Sequence, residues 1–123
     1  DHDNAGTYNN RGVAHFAKGN DEDAIADYTA AIMLKPDFAE AYMNRGKVAC
    51  KLGAIENGIT DFTRSVTINP RFAAGYYSRA QAYLSSKEYD KAWEDVRRIC
   101  DLGLQPDPQF LQALQKASGR EKP

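Results

Sequence analysis

Tyr8-Asn9-Asn10-Arg11-Gly12 returns as Tyr42-Met43-Asn44-Arg45-Gly46, and again as Tyr76-Tyr77-Ser78-Arg79-Ala80, at one fixed step of 34 residues. Pro36 and Pro70 stand the same step apart. So do Ala24, Gly58 and Ala92, then Asp27, Asp61 and Asp95, then Tyr28, Phe62 and Val96. That many coincidences at a single period mark an internal repeat, and periods of roughly 20–50 residues belong to stacked-repeat architectures.

Each unit reads as two helices. In the first unit Tyr8, Arg11-Gly12 and His15 recur at the three-to-four spacing of one helix face. Gly19-Asn20 breaks the pattern. A second helix runs from about Asp21, with Ala24, Tyr28, Ala31 and Ile32 on one side. Lys35-Pro36 closes it, because proline lacks the amide hydrogen and disfavours helical geometry in the residue before it. The small residues Gly12, Gly46 and Ala80, and Ala24, Gly58 and Ala92, let antiparallel helices approach while the aromatic rows fill the space between them.

These residues resemble the tetratricopeptide repeat (TPR), whose unit is 34 residues long. The resemblance covers about residues 5–106, in units of about 5–38, 39–72 and 73–106. It implies an all-α, right-handed superhelical stack of antiparallel helix pairs with about seven helices, and one domain over 1–123. The third unit departs at its end, where Leu104 stands in the place of Pro36 and Pro70. Asp107-Pro108 then supplies an N-cap and a proline for the first helical position. Phe110, Leu111, Leu114 and Ala117 follow at helical spacing. This segment, about 107–118, resembles the extra helix that covers a last repeat, since an open stack exposes an apolar face at each end. Residues 1–4 and 119–123 are expected to be loose.

The chain has 123 residues, with 16 Lys plus Arg against 17 Asp plus Glu, a net charge of −1. That balance excludes a binder working by phosphate neutralisation, which needs a basic face. With 42% hydrophobic and 27% charged residues, the composition is that of a globular domain and too apolar for disorder. Mean hydropathy is −0.64, and no stretch nears the ~20 apolar residues that cross a bilayer. No nucleic acid and no membrane insertion are therefore expected. The start at Asp1, without Met, reads as a processed chain or a piece of a longer one. A cytoplasmic setting is slightly favoured, with a periplasmic one open. Cys50 and Cys100 form no CxxC, and are expected to be small buried or half-buried side chains.

Catalytic motifs are missing. There is no GxGxxG, GxxxxGK[ST], GxSxG or HExxH, so no enzyme, no cofactor and no metal are expected. His15 reads as a residue packed between helices. Asp21-Glu22-Asp23 reads as a helix start, where carboxylates favour the positive end of the dipole. The most regular polar pattern is Arg11, Arg45 and Arg79 with Asp27, Asp61 and Asp95. It reads as a structural Arg–Asp ladder, within a unit or to the next one.

The resemblance implies that the first helix of each unit lines a concave groove. The register then nominates Asn9, Asn10 and Val13 from the first unit, Met43, Asn44, Lys47 and Lys51 from the second, and Tyr77, Ser78 and Gln81 from the third. Side-chain amides can donate to and accept from a peptide backbone at once. The expected function is a protein–protein interaction module that binds a peptide or partner segment in this groove. The alternative is an assembly module that self-associates through end faces or the convex side. TPR co-chaperones that hold a C-terminal carboxylate use Lys, Asn, Asn, Lys and Arg. By register those places are Asn9, Val13, Asn44, Ala74 and Ser78, and only Asn44 matches. The carboxylate-clamp type is therefore not expected.

Overall fold

The computed structural model describes residues 2–123, with side chains from Asn4 onward. Among these residues there are seven helices and no strand: α1 (His2–Ala17), α2 (Asp21–Leu34), α3 (Ala39–Lys51), α4 (Ile55–Ile68), α5 (Ala73–Ser85), α6 (Tyr89–Asp101) and α7 (Pro108–Ser118). Each helix packs against the next, and α3 also touches α1 and α5, so the first helices of the pairs form a continuous layer. α1 starts at His2, earlier than the loose start expected over 1–4, of which Asp1 lies outside the described residues.

The turn inside each pair is the same device three times. Asn20, Ala54 and Glu88 donate their amides to the carbonyls of His15, Ala49 and Tyr83 at 2.8, 2.9 and 2.8 Å. These are the six-to-one bonds of a Schellman closure, which needs a left-handed residue. Gly19 and Gly53 supply it at φ 81° and 88°, and Lys87 adopts φ 62° in the third unit. α2 and α4 end just ahead of Lys35-Pro36 and Asn69-Pro70. α6 instead ends through Gly103 at φ 85°, with Leu104 donating to Ile99 O at 3.2 Å. The replacement of proline by Leu104 thus changes the kind of helix stop and leaves the linker 103–107 ahead of α7.

Close approach inside the pairs depends on the small residues. A methyl added at Gly12 would meet the Tyr28 ring at 2.6 Å, and one at Gly46 would meet the Phe62 ring at 2.7 Å. At Gly58 it would run into Cys50 Sγ. In the third unit Ala80 carries that methyl, and the facing position holds the smaller Val96 in place of an aromatic ring. Ala80, Trp93, Val96, Phe110 and Leu114 form one buried cluster, so α7 covers the apolar end of the stack.

Side chains of α6 and α7 hold the first residues of the C-terminal segment that was expected to be loose over 119–123. Trp93 Nε1 donates to Ser118 Oγ at 3.0 Å, Arg120 pairs with Asp90 and lies 5.8 Å above the Trp93 ring, and Gln115 donates to Glu121 O at 2.8 Å. Cys50 is half-buried, but Cys100 is exposed, because it sits on the outer face of α6 rather than toward a neighbour. No helix among the described residues is long and apolar enough to cross a membrane.

Candidate peptide groove

The Arg and Asp rows meet inside each unit. Arg11 donates to Asp27 through Nε at 2.8 Å and Nη2 at 2.7 Å. Arg45 does the same to Asp61 at 2.9 and 2.9 Å, and Arg79 to Asp95 at 2.9 and 2.6 Å. Parallel two-point bonds of a guanidinium to a carboxylate are among the strongest polar contacts available. The remaining Nη1 reaches backwards: Arg45 to Thr29 Oγ1 at 3.4 Å, and Arg79 to Thr63 Oγ1 at 3.2 Å. Two of the three arginines therefore join units as well as helices. All three are spent on structure, each also within 6 Å of the tyrosine three residues before it.

Burial of the ladder's arginines rises along the chain. The arginine side chains are 60%, 27% and 15% exposed in order. The hydrogen bonds from Arg11 hold the Asp27 carboxyl below the ordinary aspartate range. Burial pushes the Asp95 carboxyl above it, against the pull of Arg79. His15 is half-buried with Nε2 3.6 Å from Asp27, which places it at the edge of the first rung.

The groove candidates divide into two sets. Asn10, Val13, Lys47 and Gln81 are exposed, and Tyr77 is half-exposed. Asn9, Met43, Asn44 and Ser78 are buried; this corrects the expected place of Asn9, Met43 and Asn44 on an open wall, while Ser78 still reaches the surface hollow. Asn44 Nδ2 donates to Asn9 Oδ1 at 3.1 Å, and Asn9 Nδ2 donates to Glu40 Oε1 at 3.2 Å. The amides thus satisfy one another across α1 and α3. Met43 packs with Phe62 and Ala82. Lys51 is also not a free cation: it pairs with Asp21 at 3.0 Å and lies 5.2 Å above the Phe16 ring. Asp21 therefore holds a lysine across the turn, besides starting α2. Lys47 has no ion-pair partner among the described residues.

Between α1, α3 and α5 the surface opens into a hollow of about 340 Å³. Phe16, Cys50, Ile55, Phe62 and Ala82 give it apolar surface, and Lys47, Lys51, Ser78, Gln81 and Ser85 give it polar surface. Burial pushes the Cys50 thiol up, so at neutral pH it stays a neutral, small apolar group. The hollow brings together Lys47, Lys51, Ser78 and Gln81 from the candidate set; Asn9, Asn10, Val13, Met43, Asn44 and Tyr77 are outside its lining. The register nominates none of Phe16, Cys50, Ile55, Phe62 and Ala82. A signal existed for two of them, since Phe16 and Cys50 are separated by one repeat. Ile55 and Phe62 come from α4, the second helix of its pair, to which the resemblance gives no lining role. Among the described residues no group of three or more His, Cys, Asp or Glu could hold a metal ion.

Family models match two stretches, one described as TPR repeat over residues 14–53 and one as tetratricopeptide repeat over residues 39–72. Among solved structures, the first TPR of Spaghetti (RPAP3) bound to HSP90 peptide SRMEEVD superposes with a TM-score of 0.89. Its identity is 22%, over 97% of this chain and 94% of that one. The TPR2B domain of yeast Sti1, in a pHsp70 complex, gives 0.84 at 26% identity over 94% and 97%. The Sgt2 TPR domain from Aspergillus fumigatus gives 0.84 at 18% identity over 94% and 77%. None of the curated proteins compared matches the chain in sequence.

Proposed function

We propose, on the premise that this chain is a tetratricopeptide-repeat solenoid, that it is a non-catalytic module binding a peptide or partner segment along its concave layer. The observation that carries the reading is the hollow between α1, α3 and α5. It pairs apolar surface with an exposed, unpaired Lys47 and the amide of Gln81. Solvated, structurally unemployed polar groups beside apolar surface are what orient a ligand once the apolar part has been buried. One of the similar structures is bound to an HSP90 peptide and another is a pHsp70 complex, which supports a peptide as the ligand class.

The recognition mode differs from a carboxylate clamp. Four of the five clamp places hold Asn9, Val13, Ala74 and Ser78, none of them cationic. Glu40 adds a carboxylate beside Asn9. A free C-terminal carboxylate would meet a like charge there and lose the charge-assisted bonds that make such recognition strong. Binding then depends on side chains of the ligand, not on its terminus. The test is selection from a random peptide display library against the native chain and against a Lys47→Glu/Gln81→Glu variant, whose changes lie on exposed positions. Peptides enriched by the native chain and lost in the variant support the reading, and enrichment by both equally overturns it.

One observation favours assembly as a second reading. Arg11 lacks the backward Nη1 bond that Arg45 and Arg79 make to Thr29 and Thr63, and it is the most exposed of the three. The α1 end could therefore receive another helix pair. A mass that rises with concentration, in the native chain and in the Lys47→Glu/Gln81→Glu variant alike, would support this reading.

A further inference from the structure

A second hollow, of about 260 Å³, opens near the start of α5, between it and the linker that precedes α7. Ala74, Tyr77, Ile99, Leu104 and Pro106 line it, with Asp107 at its edge. It exists on residues that break the repeat: Leu104 replaces the proline of the other units, and Pro106 follows two residues late. Leu104 is half-exposed at its rim, an apolar side chain without full cover. Burial and the nearby Asp107 push the Tyr77 hydroxyl up, so the ring stays neutral.

Both hollows lie on one stripe of α5. Ala74, Tyr77, Ser78, Gln81 and Ser85 follow each other at steps of three, one, three and four, which is a single helix face. Ala74 and Tyr77 belong to the second hollow, and Ser78, Gln81 and Ser85 to the first. Ala74 and Gln81 stand seven positions apart, so at a rise of 1.5 Å per residue the hollows are separated by about 10 Å. Extended chain covers about 3.3 Å per residue, so about three residues bridge that span. A polyproline-II strand returns a side chain to the same side at each third residue.

We propose that the groove takes an internal, extended segment with two apolar side chains three positions apart, one for each hollow, and an acidic side chain beside the one that enters near Lys47. This rests on the groove reading above and adds the chemistry of its ligand. Charge fixes the acidic residue: Lys47 is the cation of the first hollow that no carboxylate among the described residues neutralises, while Lys51 is held by Asp21. The spacing follows from the stripe, and the absence of clamp cations makes the ligand internal rather than terminal.

Fluorescence polarisation tests this with labelled nine-residue peptides, acetylated and amidated so that neither end is charged. The reference peptide has leucines three positions apart, an aspartate next to one of them, and glycine or serine elsewhere. It is expected to bind about 10-fold more tightly than peptides with the leucines adjacent or with lysine in place of the aspartate, a difference of about 1.4 kcal/mol. Lys47→Glu should reverse the charge preference. Ala74→Glu, at an exposed position, should abolish the spacing preference and keep the charge preference. Circular dichroism on both variants checks that the helices remain. Binding indifferent to spacing and charge overturns the inference, as does binding that needs a free C-terminal carboxylate. The inference falls while the groove reading stands if library peptides depend on Lys47 and Gln81 but ignore spacing. Both fall if no peptide from either source binds.

Discussion

The first and third units carry the same sequence code in different surroundings. Arg11 and Asp27 form their pair at an open end, where the guanidinium is mostly in water. Arg79 and Asp95 form theirs inside the stack, where Arg79 also reaches Thr63 of the preceding unit and Asp95 is 1% exposed. Geometry is nearly identical, at 2.7–2.8 Å against 2.6–2.9 Å. The environment decides what each pair does. In the first unit the hydrogen bonds dominate and lower the Asp27 carboxyl; in the third, burial dominates and raises Asp95. A repeated motif is thus a repeated geometry, not a repeated energy.

The largest effect expected from this contrast is Asp95→Ala, which strands a largely buried guanidinium. It should cost about 3–5 kcal/mol in urea unfolding. Asp27→Ala should cost clearly less, because water can solvate Arg11. Equal losses at both sites would erase the distinction.

The packing of the pairs sharpens it further. Gly46→Ala forces a methyl against Phe62 and should cost about 1–3 kcal/mol, as overpacking does. The third unit already shows the remedy, with Ala80 opposite Val96. Adding Phe62→Val to Gly46→Ala should therefore cost less than the sum of the two single changes in a double-mutant cycle. A simple sum would mean the glycine is not set by the ring it faces.

The turns provide a third contrast. Lys87 occupies the left-handed position that Gly19 and Gly53 hold in the other units. Lys87→Gly should stabilise the chain by about 1 kcal/mol, read as a rise in Tm, because the left-handed cost falls on side chains with a Cβ. No change or a loss would show that the lysine side chain compensates.

The smallest effect is in acid titration. The Asp27 carboxyl is lowered in the folded chain, so its contribution to stability is present at neutral pH and is lost as pH falls through its folded value. Asp95 is raised, so the folded state holds its proton more firmly, and its contribution becomes more favourable as pH falls from neutral through that raised value. Carboxyl carbon NMR should place the Asp95 midpoint above that of Asp27. The reverse order would contradict the burial argument.

Much of the fold was legible because a period of 34 residues needs only a sequence compared with itself. Pro36, Pro70 and the small–aromatic pairs mark helix ends and close contacts locally. The groove was less legible, because its lining depends on how neighbouring units rotate. Asn9 and Asn44 are one repeat plus one residue apart, so nothing in the period shows that their amides meet. Met43 takes the place of Asn9 and Tyr77 in the register, yet turns toward Phe62 and Ala82. The pairing of Lys51 with Asp21 crosses from α3 to the start of α2, a contact that only the stacked geometry creates. Leu104 showed itself as a break in the repeat, but not as the rim of a hollow.

The central claim is that the layer formed by α1, α3 and α5 binds the ligand. Amide NMR shift mapping with peptides selected from the library tests it most directly. The largest shifts are expected at Phe16, Lys47, Cys50, Ser78 and Gln81, with little change along the outer faces of α2, α4 and α6. Shifts confined to those outer faces or to the open end of α1 would contradict it.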